Sequence, residues 1–178
     1  ITFMHNGEDP TLNSSTRTIS WIVIDANSDG TQADTSQNKL SYIRINPLTD
    51  APQLSNLSTL IYIENSDAMI IDSIITITDD DDVELDNATI TISNGLTNGD
   101  SLAFTNQNGI THTYNSTDGI LSLTGKATIE NYKAALESIT YIFNGEDPTS
   151  NNSIRTISWI VMDANSDDLG SAISNTIS

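Results

Sequence analysis

Four aspartates stand in a row at Asp79, Asp80, Asp81 and Asp82. Other acids gather in turn-forming sequence: Glu8-Asp9 within residues 6–10, Glu146-Asp147 within residues 144–148, and Asp163 ahead of Ala164-Asn165-Ser166. Six Lys and Arg face 24 Asp and Glu, a net charge of −18. Adjacent carboxylates repel one another, so ordering four of them without a counter-ion is costly. Carboxylate oxygens are hard ligands, and Ca2+ takes roughly six to eight of them. The chemistry these residues point to is the holding of calcium. The charge alone could serve solubility, but acids placed in loops rather than spread along strands favour the cation.

Other chemistry finds little support. There is no cysteine, hence no disulfide and no thiol. His5 and His112 are the two histidines, and no Ser/His/Asp signature surrounds either. His112 lies among threonines, as a surface strand residue would. Neither a Gly-rich phosphate loop nor a zinc-ligand spacing occurs. The chain is expected not to be an enzyme. An acidic surface repels nucleic acid and anionic lipid, and no run approaches the ~18 apolar residues of a membrane span.

The elements that must position the acids are strands. Ile139, Tyr141 and Phe143 alternate with polar or outward positions, Ile157, Trp159 and Val161 share a face, and Ile90 and Ile92 alternate with Thr89, Thr91 and Ser93. Turn pairs separate the runs at Asn94-Gly95, Asn98-Gly99, Asn108-Gly109, Asp118-Gly119 and Asn144-Gly145. Strands are expected near 57–64, 69–78, 88–94, 101–105, 110–115, 120–124, 138–144, 154–163 and 171–178. One segment departs from the pattern: Ile129, Tyr132 and Leu136 follow helical spacing behind Thr128, a plausible N-cap. Tyr132 and Leu136 read as core residues. Many short strands and one short helix predict an all-β, antiparallel Greek-key sandwich.

Residues 1–29 return at 139–167 with a constant offset of 138, and 22 of the 29 positions are identical. Copies this similar mark a tandem array. The expected organisation is the last three strands of one repeat at 1–45, a linker at 46–54 stiffened by Pro47 and Pro52, and a near-complete second repeat at 55–178.

Taken together, Gly145-Glu146-Asp147-Pro148, Arg155-Thr156-Ile157-Ser158-Trp159-Ile160-Val161, Asp50-Ala51-Pro52, Ile77-Thr78-Asp79-Asp80-Asp81-Asp82 and Leu121-Ser122-Leu123-Thr124-Gly125-Lys126-Ala127-Thr128 resemble a cadherin-like repeat of giant bacterial surface adhesins. The resemblance covers essentially the whole chain. It implies an Ig-like sandwich with one short helix per repeat, secreted to the cell surface. It also implies that the repeats act as an extender and that calcium at their junctions stiffens the rod. Where such linkers often carry Asn before Asp-Ala-Pro, this one carries Thr49.

Strand order places the acids. In a seven-strand sandwich the loops after the second and sixth strands lie at the end near the preceding repeat. Asp79, Asp81 and Asp163 would then meet Asn46 and Asp50 of the linker and Glu8 and Asp9 of the preceding repeat. Glu64, Glu146 and Asp147 would face the following junction. Plainer roles compete: Asp79 and Asp82 as turn caps, Asp163 likewise, and Asp9 and Asp147 paired with Arg17 and Arg155. Trp21 and Trp159 read as core rather than sugar-stacking residues. The expected partners are neighbouring repeats of the same or an identical chain. Two alternative readings stand beside the extender. One is a filament subunit completed by strand addition between chains. The other is a carbohydrate-binding module using 94–119, where Phe104 and Tyr114 are the candidate aromatics for a carbohydrate or cell-surface ligand.

Overall fold

The computed structural model describes residues 1–7, 10–11, 14–165 and 168–178. They form two compact units, residues 1–48 and 49–178. In the first, β1 (Thr16–Trp21) and β2 (Lys39–Arg44) make an antiparallel hairpin registered from Thr16↔Arg44 to Trp21↔Lys39. Residues 1–3 carry no strand, so the described part of this unit holds two strands rather than the expected three.

The second unit is all-β apart from one short helix. In chain order it contains β3 (Gln53–Ser55), β4 (Met69–Ile70), β5 (Thr76–Thr78), β6 (Glu84–Asn94), β7 (Asp100–Ala103), β8 (Thr111–Asn115), β9 (Ile120–Thr128), α1 (Ile129–Leu136), β10 (Thr140–Phe143) and β11 (Thr156–Asp163). Every strand pair is antiparallel. One sheet runs β4-β10-β7, a second runs β11-β6-β9-β8, and β3 pairs with β5. The core takes Leu102, Tyr141 and Phe143 from the first sheet and Ile90, Leu121, Leu123, Trp159 and Val161 from the second. These are the inward positions of the period-2 pattern, and burying them removes the apolar faces from water.

Thr128 caps α1 by accepting the Asn131 amide at 3.2 Å. Tyr132, Ala135 and Leu136 turn the helix face inward. The Tyr132 hydroxyl lies between the carbonyls of Asp86 and Gly125, 2.7 and 2.9 Å away, so its burial leaves no polar atom stranded.

Three expected strands differ. Residues 57–64 form none, because the buried Asp72 carboxylate takes both the Ser58 amide and its hydroxyl, the latter at 2.7 Å. Pairing occurs earlier, in β3, before Asn56 turns the chain with φ +59°. The same Asp72 accepts the Ile74 amide at 2.8 Å and so splits 69–78 into β4 and β5. Residues 171–178 form no continuous strand and meet β11 through the isolated bridges Met162↔Ile173 and Trp159↔Ile177. Between them the Ser174 hydroxyl takes the Val161 amide at 3.0 Å.

Among the described residues, contacts made between Pro10 and Lys39 recur at their copies in the second unit. Trp21 lies opposite Lys39 as Trp159 lies opposite Ile177, and Ile24 bridges Thr35 as Met162 bridges Ile173. Asp25 accepts the Asn27 amide and Asp163 the Asn165 amide; Ser36 takes the Val23 amide and Ser174 that of Val161. Arg17 donates to the carbonyls of Pro10 (2.6 Å) and Ser14, and Arg155 to those of Pro148 (2.7 Å) and Asn152. All of these pairs keep the 138-residue offset.

Candidate metal centre

Asp79 to Asp82 fall in the connection between β5 and β6, and Asp163 is the last residue of β11. Because β11 pairs antiparallel with β6, the start of β6 and the end of β11 share one end of the sandwich: Asp163 lies opposite Leu85, and Ala164 donates to the Glu84 carbonyl at 3.0 Å. The strand order thus brings acids some eighty residues apart together. One carboxylate oxygen from each of Asp79, Asp82 and Asp163 lies within 4.8 Å of the others. Oxygens around Ca2+ at about 2.3–2.6 Å can be separated by up to roughly twice that distance, so the spacing suits a shared ion.

Local hydrogen bonds fix each acid. Asp79 Oδ1 accepts the amides of Asp81 (3.4 Å) and Asp82 (3.2 Å), a turn closed by its own side chain. Asp163 is completely buried; its Oδ1 accepts the Asn165 amide (3.0 Å) and its Oδ2 the Ala172 amide (2.6 Å). Asp82 is buried at 2 % exposure. Asp79 Oδ2 and Asp81 Oδ1 are buried and have no hydrogen-bond partner. Stranding such atoms costs free energy, which a cation would offset. Burial, and then the neighbouring Asp81 carboxylate, push the Asp79 carboxyl up to about 7. The ion pairs among the described residues, Lys126–Glu84, Lys133–Glu137 and Arg155–Asp100, involve none of Asp79, Asp81 and Asp163. Oxygen-only donors, here from the β5–β6 connection and the end of β11, are the chemistry of a hard divalent ion, and these residues fit Ca2+.

The other expected ligands are placed as follows. Asp50 is exposed, but its amide donates to Asp81 Oδ2 at 2.8 Å, and the Thr49 hydroxyl donates to the Gly170 carbonyl at 3.2 Å. The start of the second unit is therefore tied to the cluster. Asn46 is exposed in the first unit. Glu8 and Asp9 lie outside the described residues. Glu64 is exposed in a turn beside Tyr62, whose hydroxyl accepts the Phe143 amide at 3.3 Å. Glu146 and Asp147 are exposed between β10 and β11, at the opposite end of β11 from Asp163.

Asp147 does not pair with Arg155. Its Oδ1 accepts the Thr149 hydroxyl (2.7 Å) and amide (2.8 Å), which hold its carboxyl below the usual range. Arg155 instead donates from Nε to Asp100 Oδ2 at 2.7 Å. Residue reasoning placed Asp82 only as a turn cap; its position three residues after Asp79, where the turn folds it back, is the signal for its place in the cluster. Of the two candidate stacking aromatics, Phe104 is buried, and Tyr114 is partly buried against the core with its hydroxyl on the Asp100 carbonyl at 3.3 Å. His112 is half-buried, edge-on to Phe104 and bonded to Asn106 at 2.7 Å, rather than a free surface residue.

No protein-family model and no solved structure matches the chain. It is similar to halomucin of Haloquadratum walsbyi (strain DSM 16790 / HBSQ001), 32 % identical over 132 residues. The match covers 68 % of this chain and spans 1 % of halomucin's length. Among the described residues no helix is long and apolar enough to cross a membrane.

Proposed function

We propose that the chain is an extender segment of a secreted cell-surface adhesin or extracellular fibre, whose repeat junctions are rigidified by calcium. The observation that carries this reading is the convergence of Asp79, Asp82 and Asp163 on one end of the sandwich, with Asp81 holding the amide of Asp50. A cation there would neutralise buried carboxylates, order the loop before β6 against the end of β11, and lock the residues that lead into the unit. Glu146, Asp147 and Glu64 would offer oxygens at the other end. The near-verbatim block, with turn and strand contacts that recur at an offset of 138, and the match to a small part of a far longer protein both support a rod built from many such units. A role at the cell surface comes from that similarity together with the resemblance to adhesin repeats. The reading has no need of an active site.

Calorimetry of metal-free protein with added Ca2+ tests it. Binding to the native state alone stabilises by RT ln(1 + [L]/Kd), about 2.7 kcal/mol at a hundredfold excess over Kd. A melting temperature and a small-angle-scattering length that are the same in calcium and in chelator would defeat the proposal.

A second reading, strand addition between chains, rests on one contrast. Trp21 is 39 % exposed where its copy Trp159 is 1 % exposed, and Val23, two residues on, is 69 % exposed where its copy Val161 is buried. A sheet face this apolar calls for a cover. The mass of the intact native polypeptide separates the two readings. A value near that of this segment favours assembly between chains, and a very large one favours tandem repeats.

A further inference from the structure

The charge of the chain is unevenly spread. Charged residues make up 17 % of it, but none falls in residues 87–93, 111–115, 120–124 or 156–162, which build the middle of the β11-β6-β9-β8 sheet. The inward positions of these stretches go to the core. The outward positions hold Thr, Ser, Asn, Ile and Met, and no aromatic ring. Register places Ile160, Thr89, Ser122 and Thr113 in one row across the four strands, and Ser158, Thr91, Ile120 and Asn115 in the next. Charge returns at the Asp163 end of the sheet, where Lys126 pairs with Glu84 at 2.9 Å. Flanking hydroxyls bond one another, Ser158 to Ser93 at 2.6 Å and Thr111 to Thr124 at 3.3 Å. Those of Thr89, Thr91, Ser122 and Thr113 have no side-chain partner among the described residues.

We propose that this outer sheet face is a lateral contact surface, and that its partner is the same face of a second copy of the chain. Two molecules of net charge −18 repel wherever their acids meet, so the uncharged face is the approach that costs least. A cationic partner would be drawn to the acids instead, and a sugar finds no aromatic ring here to stack on. A hydroxyl both donates and accepts, so a face of Thr and Ser complements its own kind. A two-fold interface between identical chains requires that self-complementarity. Ile160 and Ile120, in adjacent rows, add apolar contact. Four strands about 4.8 Å apart and three outward rows about 7 Å apart give about 400 Å2 per partner. That is half of the ~800 Å2 a side of a standard interface, so one pair of units holds weakly. Along an array the contacts reinforce one another through effective concentration. That reinforcement rests on the extender reading; the pairing of single chains does not, and it needs no calcium.

Amide spectra of the isotope-labelled 178-residue chain, recorded from micromolar to millimolar protein in about 1 M salt to screen the repulsion, test it. Concentration-dependent shifts at Thr89, Thr91, Thr113, Ser122 and Ile160, with a monomer–dimer equilibrium in sedimentation, are expected. Shifts confined to residues 16–44 would assign the association to the first unit's hairpin and overturn the proposal, as would no shift at millimolar protein. Shifts at the face that appear with a soluble neutral glucan and not with concentration also overturn it. Thr113 is exposed, so Thr113→Glu should keep its melting temperature. It places a carboxylate on each apposed face and should weaken the dimer about tenfold or more. Ala134→Glu adds the same charge at an exposed position of α1 and should leave the dimer unchanged. Equal weakening by the two variants, or none by Thr113→Glu, overturns the proposal.

Discussion

Arg155 Nε lies 2.7 Å from Asp100 Oδ2, and the two side chains are 10 % and 0 % exposed. Around this pair the Tyr141 hydroxyl donates to Asp100 Oδ1 at 2.6 Å and the Thr97 amide to Oδ2 at 2.7 Å. The far side of the guanidinium holds the carbonyls of Pro148 and Asn152. One arginine therefore joins the turn before β7 to the long connection before β11. A buried pair broken on one side leaves an uncompensated charge, so Arg155→Met should cost about 3–5 kcal/mol in urea denaturation. Adding Asp100→Leu should recover part of that loss, because the stranded carboxylate goes with it. A loss below about 1 kcal/mol for the single variant would mean that the pair behaves as an exposed one.

Asp72 predicts a pH dependence. Burial opposes its ionisation, but the Ser58 amide, the Ile74 amide and the Ser58 hydroxyl outweigh that and hold its carboxyl below the ordinary 3.8. A depressed folded-state value means that the unfolded chain takes up the proton first. The stabilisation is therefore complete above about pH 5 and fades as pH falls through 3.8 and on through the folded-state value. Asp72→Asn supplies one acceptor where three donors converge. It should cost about 1–3 kcal/mol at pH 7, with the gap to wild type narrowing below pH 4. Denaturation curves at pH 7, 5 and 3 check this, and a gap that widens in acid would contradict it.

How much of this was legible depends on sequence distance. Inward positions such as Ile90, Tyr141, Phe143, Trp159 and Val161 follow from period-2 alternation, and α1 from its Thr128 cap, because both signals are local. The failed strand at 57–64 turns on Asp72 reaching back fourteen residues to Ser58. The Arg155–Asp100 pair spans fifty-five. Neither leaves a local pattern. In the candidate site, Asp79, Asp81 and Asp163 could be assigned to one end from strand order alone. Asp82 could not be told from a turn cap without the side-chain geometry that turns it inward.

Identical sequence contexts also predict unequal energetics. Trp21 and Trp159 sit in the same Arg-Thr-Ile-Ser-Trp-Ile-Val stretch, but only Trp159 is enclosed. Trp159→Ala should cost about 3–5 kcal/mol, while Trp21→Phe should stay within about 0.5 kcal/mol. In dilute protein, Trp21→Phe should also remove most of the acrylamide-quenchable fluorescence and leave a blue-shifted, protected emission from Trp159. Equal quenching of the two tryptophans would show that the face of β1 is covered in solution.

The acidic cluster makes opposite predictions with and without calcium. Asp79 crowds Asp81, and its Oδ2 is buried without a partner. With the cation absent, that carboxylate adds repulsion and desolvation and little else. Asp79→Asn should therefore raise the melting temperature in chelator, while Asn retains the oxygen that closes the turn onto the Asp81 and Asp82 amides. In millimolar calcium the same substitution removes a charged ligand, and the calcium-dependent rise in melting temperature should shrink or vanish. Asp147→Asn, at the opposite end of β11, should leave that rise in place. If Asp79→Asn destabilises equally in calcium and in chelator, the aspartate serves its turn and not an ion. If it stabilises in both, the cluster is a strained surface that calcium does not relieve.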